Sequence, residues 1–230
     1  MPYFLNENLW LLTFFLIIYH QQKMAQLSLH FLLILVSLIC ISSSIETAFA
    51  RRSQTRAYIE ASCRTTRYPA LCVQCLSDYS NATIQSPEQL AQVALSVSLY
   101  RAQYTRAYML KVAKELESSK ADKEYYQAVK DCLEQINDSV DQLSQSIREL
   151  RRLGHEAVGD DIFWHISNVE TWVSAALTDA GTCLDEFPGR NMGKLKATIK
   201  GKVLNVAQVT SNALALFHRY AAKYRAAKKP

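Results

Sequence analysis

Residues that turn the chain are scarce: 230 residues hold only six glycines and five prolines. An all-β sandwich or barrel needs turn signals every dozen residues or fewer, so the shortage excludes it and leaves long helices. Catalytic patterns are missing too. Past the leader described below, the only histidines are His155, His165 and His218. No His-x-x-x-His pair, Gly-x-Ser-x-Gly elbow, glycine-rich phosphate loop or basic-aromatic nucleic-acid motif occurs. These absences argue against a zinc protease, an α/β-hydrolase, a nucleotide hydrolase and a nucleic-acid binder, and they imply no cofactor and no metal. A Cys75/His pair is the one nucleophile and base combination left open.

Long apolar runs are confined to the N-terminus. Phe31 to Ile41 forms an apolar core, followed by small and polar residues and then Ala48-Phe49-Ala50. This is the pattern of a secretory signal peptide cleaved after Ala50, with Met24 as the expected start of translation. The earlier run, Leu9 to Tyr19, is too short to span a bilayer comfortably and lacks a basic flank before it. Residues 1–50 are read as a leader and the mature protein as Arg51 to Pro230, with no membrane attachment after cleavage. The competing reading is an anchor built from both runs. Removing one lysine and two acids with the leader leaves 25 basic and 19 acidic residues, a net charge of +6. A mildly basic secreted chain is drawn to acidic polymers or acidic protein faces.

Four long helices are expected. Ser86 precedes Pro87-Glu88 as an N-cap with proline at the first helical position, and the helix runs to about Ser118. Val93, Val97, Tyr100, Tyr104, Ala107 and Leu110 are its expected apolar stripe. The second carries Leu133, Ile136, Val140, Leu143, Ile147 and Leu150, and is expected to break near Leu153 at Gly154 and Gly159. Ile162, Ile166, Val169, Val173, Ala176, Ala180 and Cys183 mark the third. Leu195, Ile199, Val206, Val209, Ala213, Leu216 and Tyr220 mark the fourth. Each helix has one apolar stripe, so all four must bury theirs together. Short loops make neighbours antiparallel, giving an all-α, up-down-up-down four-helix bundle over 87–230. Residues 51–86 fit a separate helical hairpin, with Thr55 to Ser62 amphipathic and Tyr68-Pro69 at its turn.

Five cysteines follow the leader. Cys132 and Cys183 fall inside helical patterns near opposite ends of consecutive helices, which suggests two helices stapled together outside the cell. Cys63, Cys72 and Cys75 sit within thirteen residues ahead of the first long helix. Spacing alone also allows Cys72-Val-Gln-Cys75 to be a redox pair, although it lacks the strand-to-helix context that lowers a thiol's pKa.

Cys-x8-Cys in an N-terminal hairpin, Asp131-Cys132-Leu133 on one helix and Ser174-Ala-Ala-Leu-Thr-Asp-Ala-Gly-Thr-Cys183 on the next resemble the plant invertase and pectin methylesterase inhibitors. The resemblance spans essentially Thr55 to Tyr224. It implies bridges Cys63–Cys72 and Cys132–Cys183, leaves Cys75 without a partner, and implies a protein that covers another protein's active site rather than an enzyme. In the chain-entropy model a loop of about fifty residues contributes roughly 4 kcal/mol and a ten-residue loop about 2.7 kcal/mol.

On the second helix Glu134, Asp138 and Asp141 recur at helical spacing and form one acidic line beside the apolar stripe. The resemblance places acidic enzyme contacts two, six and nine residues after the third framework cysteine, which are these three. Thr182 and Asp185, beside the fourth cysteine, match contact positions by the same rule. A solvated helix face is the plainer reading of the acids. Invertase-directed members carry a Pro-Lys-Phe motif that is absent here, where Pro188 is followed by Gly189 and Arg190. The resemblance therefore implies pectin methylesterase as the partner, with acid invertase as the alternative. A third reading, a cell-wall module in weak contact with pectin, rests on the basic tail from His218 to Lys229. Asn81-Ala-Thr83 and Asn137-Asp-Ser139 are N-glycosylation signals, and secretion to the apoplast follows from the leader and the family.

Overall fold

The computed structural model describes residues 14, 19–24, 26, 32–35, 37, 50–79, 84–119, 123–155, 161–187 and 193–227. Two units divide the chain, Met1–Arg51 and Arg52–Pro230. The described residues of the first are all helical. No helix among the described residues is long and apolar enough to cross a membrane. Ala48, Phe49 and Asn81 lie outside the described residues, as does Pro188-Gly189-Arg190.

The second unit opens with helical residues 52–63 (α1), turns at residues 64–68, and continues as α2, Pro69–Leu76, and a 3-10 turn, Ser77–Tyr79. Four long helices follow: α3 Pro87–Ser118, α4 Lys123–His155, α5 Asp161–Asp185 and α6 Lys194–Ala227. Each long helix packs on its neighbours in the order α3, α4, α5, α6, and α6 closes the ring on α3. The unit is an all-α bundle, with no strand among its described residues. At the start of α3 the Ser86 hydroxyl accepts from the Gln89 amide at 3.2 Å, and the Gln89 side chain accepts from the Gln85 amide at 2.9 Å. Two otherwise orphaned backbone donors are satisfied, which fixes where the helix begins. Gly154 does not end α4, which passes through it to His155.

Helices α4, α5 and α6 bury the stripes expected of them, including Ile136, Val140, Leu143, Val169, Val173, Val206 and Leu216. Helix α3 does not. Its Tyr100, Tyr104 and Leu110 are 61%, 54% and 52% exposed, and the buried positions are Leu90, Ala91, Ala94, Leu95, Val97, Ser98, Ala102, Thr105, Met109 and Val112. Small residues on that face let neighbouring helices approach closely, and the Ser98 hydroxyl is satisfied by the Ala94 carbonyl at 3.0 Å. A tyrosine hydroxyl is easier to solvate than to bury, so the larger apolar area faced outward.

The hairpin is docked on the bundle. Asn212 of α6 makes a reciprocal pair with Tyr68, accepting from its amide and donating to its carbonyl, both at 3.0 Å. Arg219 donates to the Ser62 carbonyl at 3.0 Å. Cys63 and Cys72 are joined, with Cα atoms 5.6 Å apart, and this bridge closes the turn between α1 and α2. Cys75 is free and buried. It lines a small apolar cavity with Leu76, Ala94, Val97, Val209 and Leu216, a setting for a packed thiol rather than a redox centre.

Candidate functional site

Helices α4 and α5 are tied together at three levels in one antiparallel register. At one end Cys132 and Cys183 are joined, both fully buried, with Cα atoms 4.3 Å apart. Midway, the buried Ser139 hydroxyl donates across to the Ala176 carbonyl at 3.0 Å. Toward the other end the Glu149 carboxylate faces His165 Nδ1 and accepts from Asn168 Nδ2, each at 2.8 Å, with Arg152 at 3.5 Å. Burial alone would raise the Glu149 pKa, but the hydrogen bonds of Asn168 and His165 and the charges of His165 and Arg152 hold it below the usual carboxylate range. A helix pair held at its ends and middle presents a rigid outer face.

That face is acidic. Glu134, Asp138 and Asp141 of α4 are exposed, as are Thr182 and Asp185 at the end of α5. None of these four carboxylates pairs with a cation among the described residues, whereas Glu60, Glu115, Glu149 and Glu170 all do. A fifth carboxylate was not singled out by sequence reasoning. Asp179 is half-buried, and its Oδ2 is enclosed without a hydrogen-bond partner. Burial, and then the nearby charge of Asp138, push its pKa up. Its place in the Ala-Ala-Leu-Thr-Asp run was the available signal, but only the pairing of α4 with α5 sets it beside Asp138.

Asp179→Asn is expected to stabilise the protein at pH 7 by about 0.5–1 kcal/mol after discounting for partial exposure, roughly 1–4 °C in the thermal midpoint. The folded pKa lies above the unfolded one, so the penalty for ionised Asp179 is present at neutral pH. It vanishes as the pH falls through the folded value toward the unfolded one. Thermal melts at pH 7 and near pH 3 check this; an equal gain at both refutes it.

The described cationic and histidine side chains of the basic tail, residues 218–225, are already engaged. Arg225 reaches both oxygens of Glu170 at 2.6 and 2.7 Å, and His218 lies 3.4 Å from the same carboxylate. Arg219 caps α1, and the Lys223 ammonium rests 4.4 and 4.6 Å from the ring centres of Tyr220 and Tyr224. Arg225 and His218 brace α6 against α5 and Arg219 ties it to α1, whereas the Lys223 contacts stay within α6. The tail therefore offers a polyanion less free charge than its sequence suggests.

With the fold and this face defined, comparison decides the family. The model for "Plant invertase/pectin methylesterase inhibitor" matches residues 57–216, well over half of the chain. The chain belongs to this inhibitor family. Among curated proteins it is 48% identical over 202 residues to "Pectinesterase inhibitor 9" of Arabidopsis thaliana, covering 87% of this chain and 97% of that protein. It is 43% identical over 179 residues to the "21 kDa protein" of Daucus carota, covering 77% and 91%. Among solved structures, a mutant form of a pectin methylesterase inhibitor from Arabidopsis superposes with a TM-score of 0.53 at 18% identity, covering 68% of this chain and 92% of that one. That likeness establishes a shared helical-bundle fold. Membership makes this protein one of a family of inhibitors rather than of enzymes.

Proposed function

We propose that this family member is a secreted protein that binds a pectin methylesterase one to one and lays the α4/α5 face across the enzyme's substrate cleft. The observation that carries the reading is the row of exposed, unpaired carboxylates on an otherwise basic protein, at the positions where the resemblance puts enzyme contacts. Inhibition is steric. A rigid helix pair excludes a long polysaccharide without chemistry on the inhibitor's side, and the Cys132–Cys183 bridge lowers the ordering cost of binding. Glu134, Asp138 and Asp141 meet cationic or hydroxyl groups at the cleft, with Thr182 and Asp185 extending the contact. The Arabidopsis relatives named as pectinesterase inhibitors support the choice of esterase over acid invertase, as does the absence of Pro-Lys-Phe. The leader supports secretion to the apoplast. Titrating recombinant residues 51–230 against a pectin methylesterase and an acid invertase tests the proposal. An equivalence point near one inhibitor per esterase, with invertase untouched, is expected; inhibition of invertase alone overturns it.

Glycosylation bears on the same face. Asn137 is half-buried between the core and the acidic row, and the Ser139 hydroxyl that its sequon requires is fully buried and bonded to α5. A glycan on Asn137 would stand against the acidic row beside this contact, so Asn81 is expected to be the more fully occupied site. Glycopeptide mapping of secreted protein reads both occupancies, and predominant modification of Asn137 contradicts the placement of the face.

A further inference from the structure

In the ring of helices, α3 and α6 form the side opposite α4 and α5. With α2 they enclose an open groove of about 390 Å³, lined among others by Gln74, Arg101, Tyr104, Thr105, Lys202 and Asn205. No acidic side chain lines it. Arg101 Nε is shielded from solvent yet has no hydrogen-bond partner. The Lys202 ammonium is held 4.5 and 4.7 Å from the ring centres of Tyr104 and Tyr108. Neither cation has a carboxylate partner among the described residues. Both cations line the groove without an internal counter-charge among those residues, so an anion that enters it meets two uncompensated positive groups.

The rest of the groove narrows the class of anion. Gln74, Asn205 and Thr105 supply neutral donors and acceptors suited to several hydroxyls, and the exposed rings of Tyr100 and Tyr104 lie along α3 at helical spacing. One planar guanidinium fork and one point charge suit a single carboxylate. The volume lies in the range of roughly 300–1,000 Å³ typical of ligand sites. Gly201 of α6 also lines the groove, and a Cβ added there meets nothing within 4 Å. Glycine inside a helix costs about 0.5–1 kcal/mol relative to alanine, and no packing contact requires it here. Its effect is to leave the groove open.

We propose that this groove binds an acidic oligosaccharide through a uronate carboxylate held by Arg101 and Lys202. The site is independent of esterase binding and faces away from the α4/α5 surface, so both surfaces are free to be occupied together. Calorimetric titration of the secreted chain with trigalacturonic acid, its methyl ester and inorganic phosphate tests the assignment. The acid trimer is expected to bind, with the ester at least about tenfold weaker and phosphate unable to displace the trimer at equal concentration. Arg101→Gln and Lys202→Gln should each weaken trimer binding by about tenfold or more. Gly201→Leu should abolish it while holding or raising the thermal midpoint, which separates a filled groove from a failed fold. Absence of trimer binding, displacement by equal phosphate, or unaltered binding by a folded Gly201→Leu protein overturns the proposal.

Discussion

Asp138→Asn together with Asp141→Asn is expected to raise the inhibition constant against a pectin methylesterase at least about tenfold, equivalent to about 1.4 kcal/mol. Both side chains are exposed and make no ion pair among the described residues, so the double change removes charge without breaking an internal contact. The bundle should melt at or slightly above its parent's temperature, because Asp179 loses the neighbour that repels it. A cation of the enzyme docked there favours ionised Asp179 and pulls its raised pKa back down, so binding releases a proton. Affinity should therefore rise with pH across the titration of Asp179, and the double variant should show a smaller rise. Inhibition constants measured from pH 4 to 7 decide the matter. If the variant matches its parent throughout, the acidic row is solvated surface and the inhibitory face lies elsewhere.

Cys132→Ser is expected to cost about 2–5 kcal/mol, or roughly 4–20 °C in the thermal midpoint of a domain this size. The bridge closes the longer of the two disulfide loops, 51 residues in sequence separation against 9, so it constrains the unfolded chain more. The Ser139–Ala176 bond and the Glu149 cluster still hold α4 against α5, so the variant should fold. Its inhibition should weaken through looser presentation of the acidic row, with the pH dependence retained. Chemical denaturation and non-reducing peptide mapping give the readout. A midpoint equal to the parent's, or a main species linking Cys72 to Cys75, rules out the framework as the source of rigidity.

The exposure of the acidic row was legible because its three members lie on one helix, where spacing reports direction: Glu134, Asp138 and Asp141 clear the buried row of Ile136, Val140 and Leu143 by simple periodicity. Asp179 was not. Its carboxylate matters through a neighbour on another helix, and no pattern within α5 encodes the distance to Asp138. The basic tail misled for the same reason, since Glu170, which engages Arg225 and His218, lies 55 residues from Arg225.

The sequence by itself determined the number of long helices, the start of α3, and the inward faces of α4, α5 and α6. Those faces carry runs of branched aliphatic residues, against isolated exposed apolar residues such as Trp164 and Leu204. Tertiary structure decided the face of α3, where a row rich in alanine, serine and threonine competes with a row of tyrosines. Apolar area favours the tyrosines, but close approach of α4 and α6 favours the small residues, and that approach exists only once the helices have met. It likewise decided which cations are spent on internal carboxylates and which, as with Arg101 and Lys202, have none among the described residues. Pairing across helices depends on register and distance, and neither is a property of any single segment.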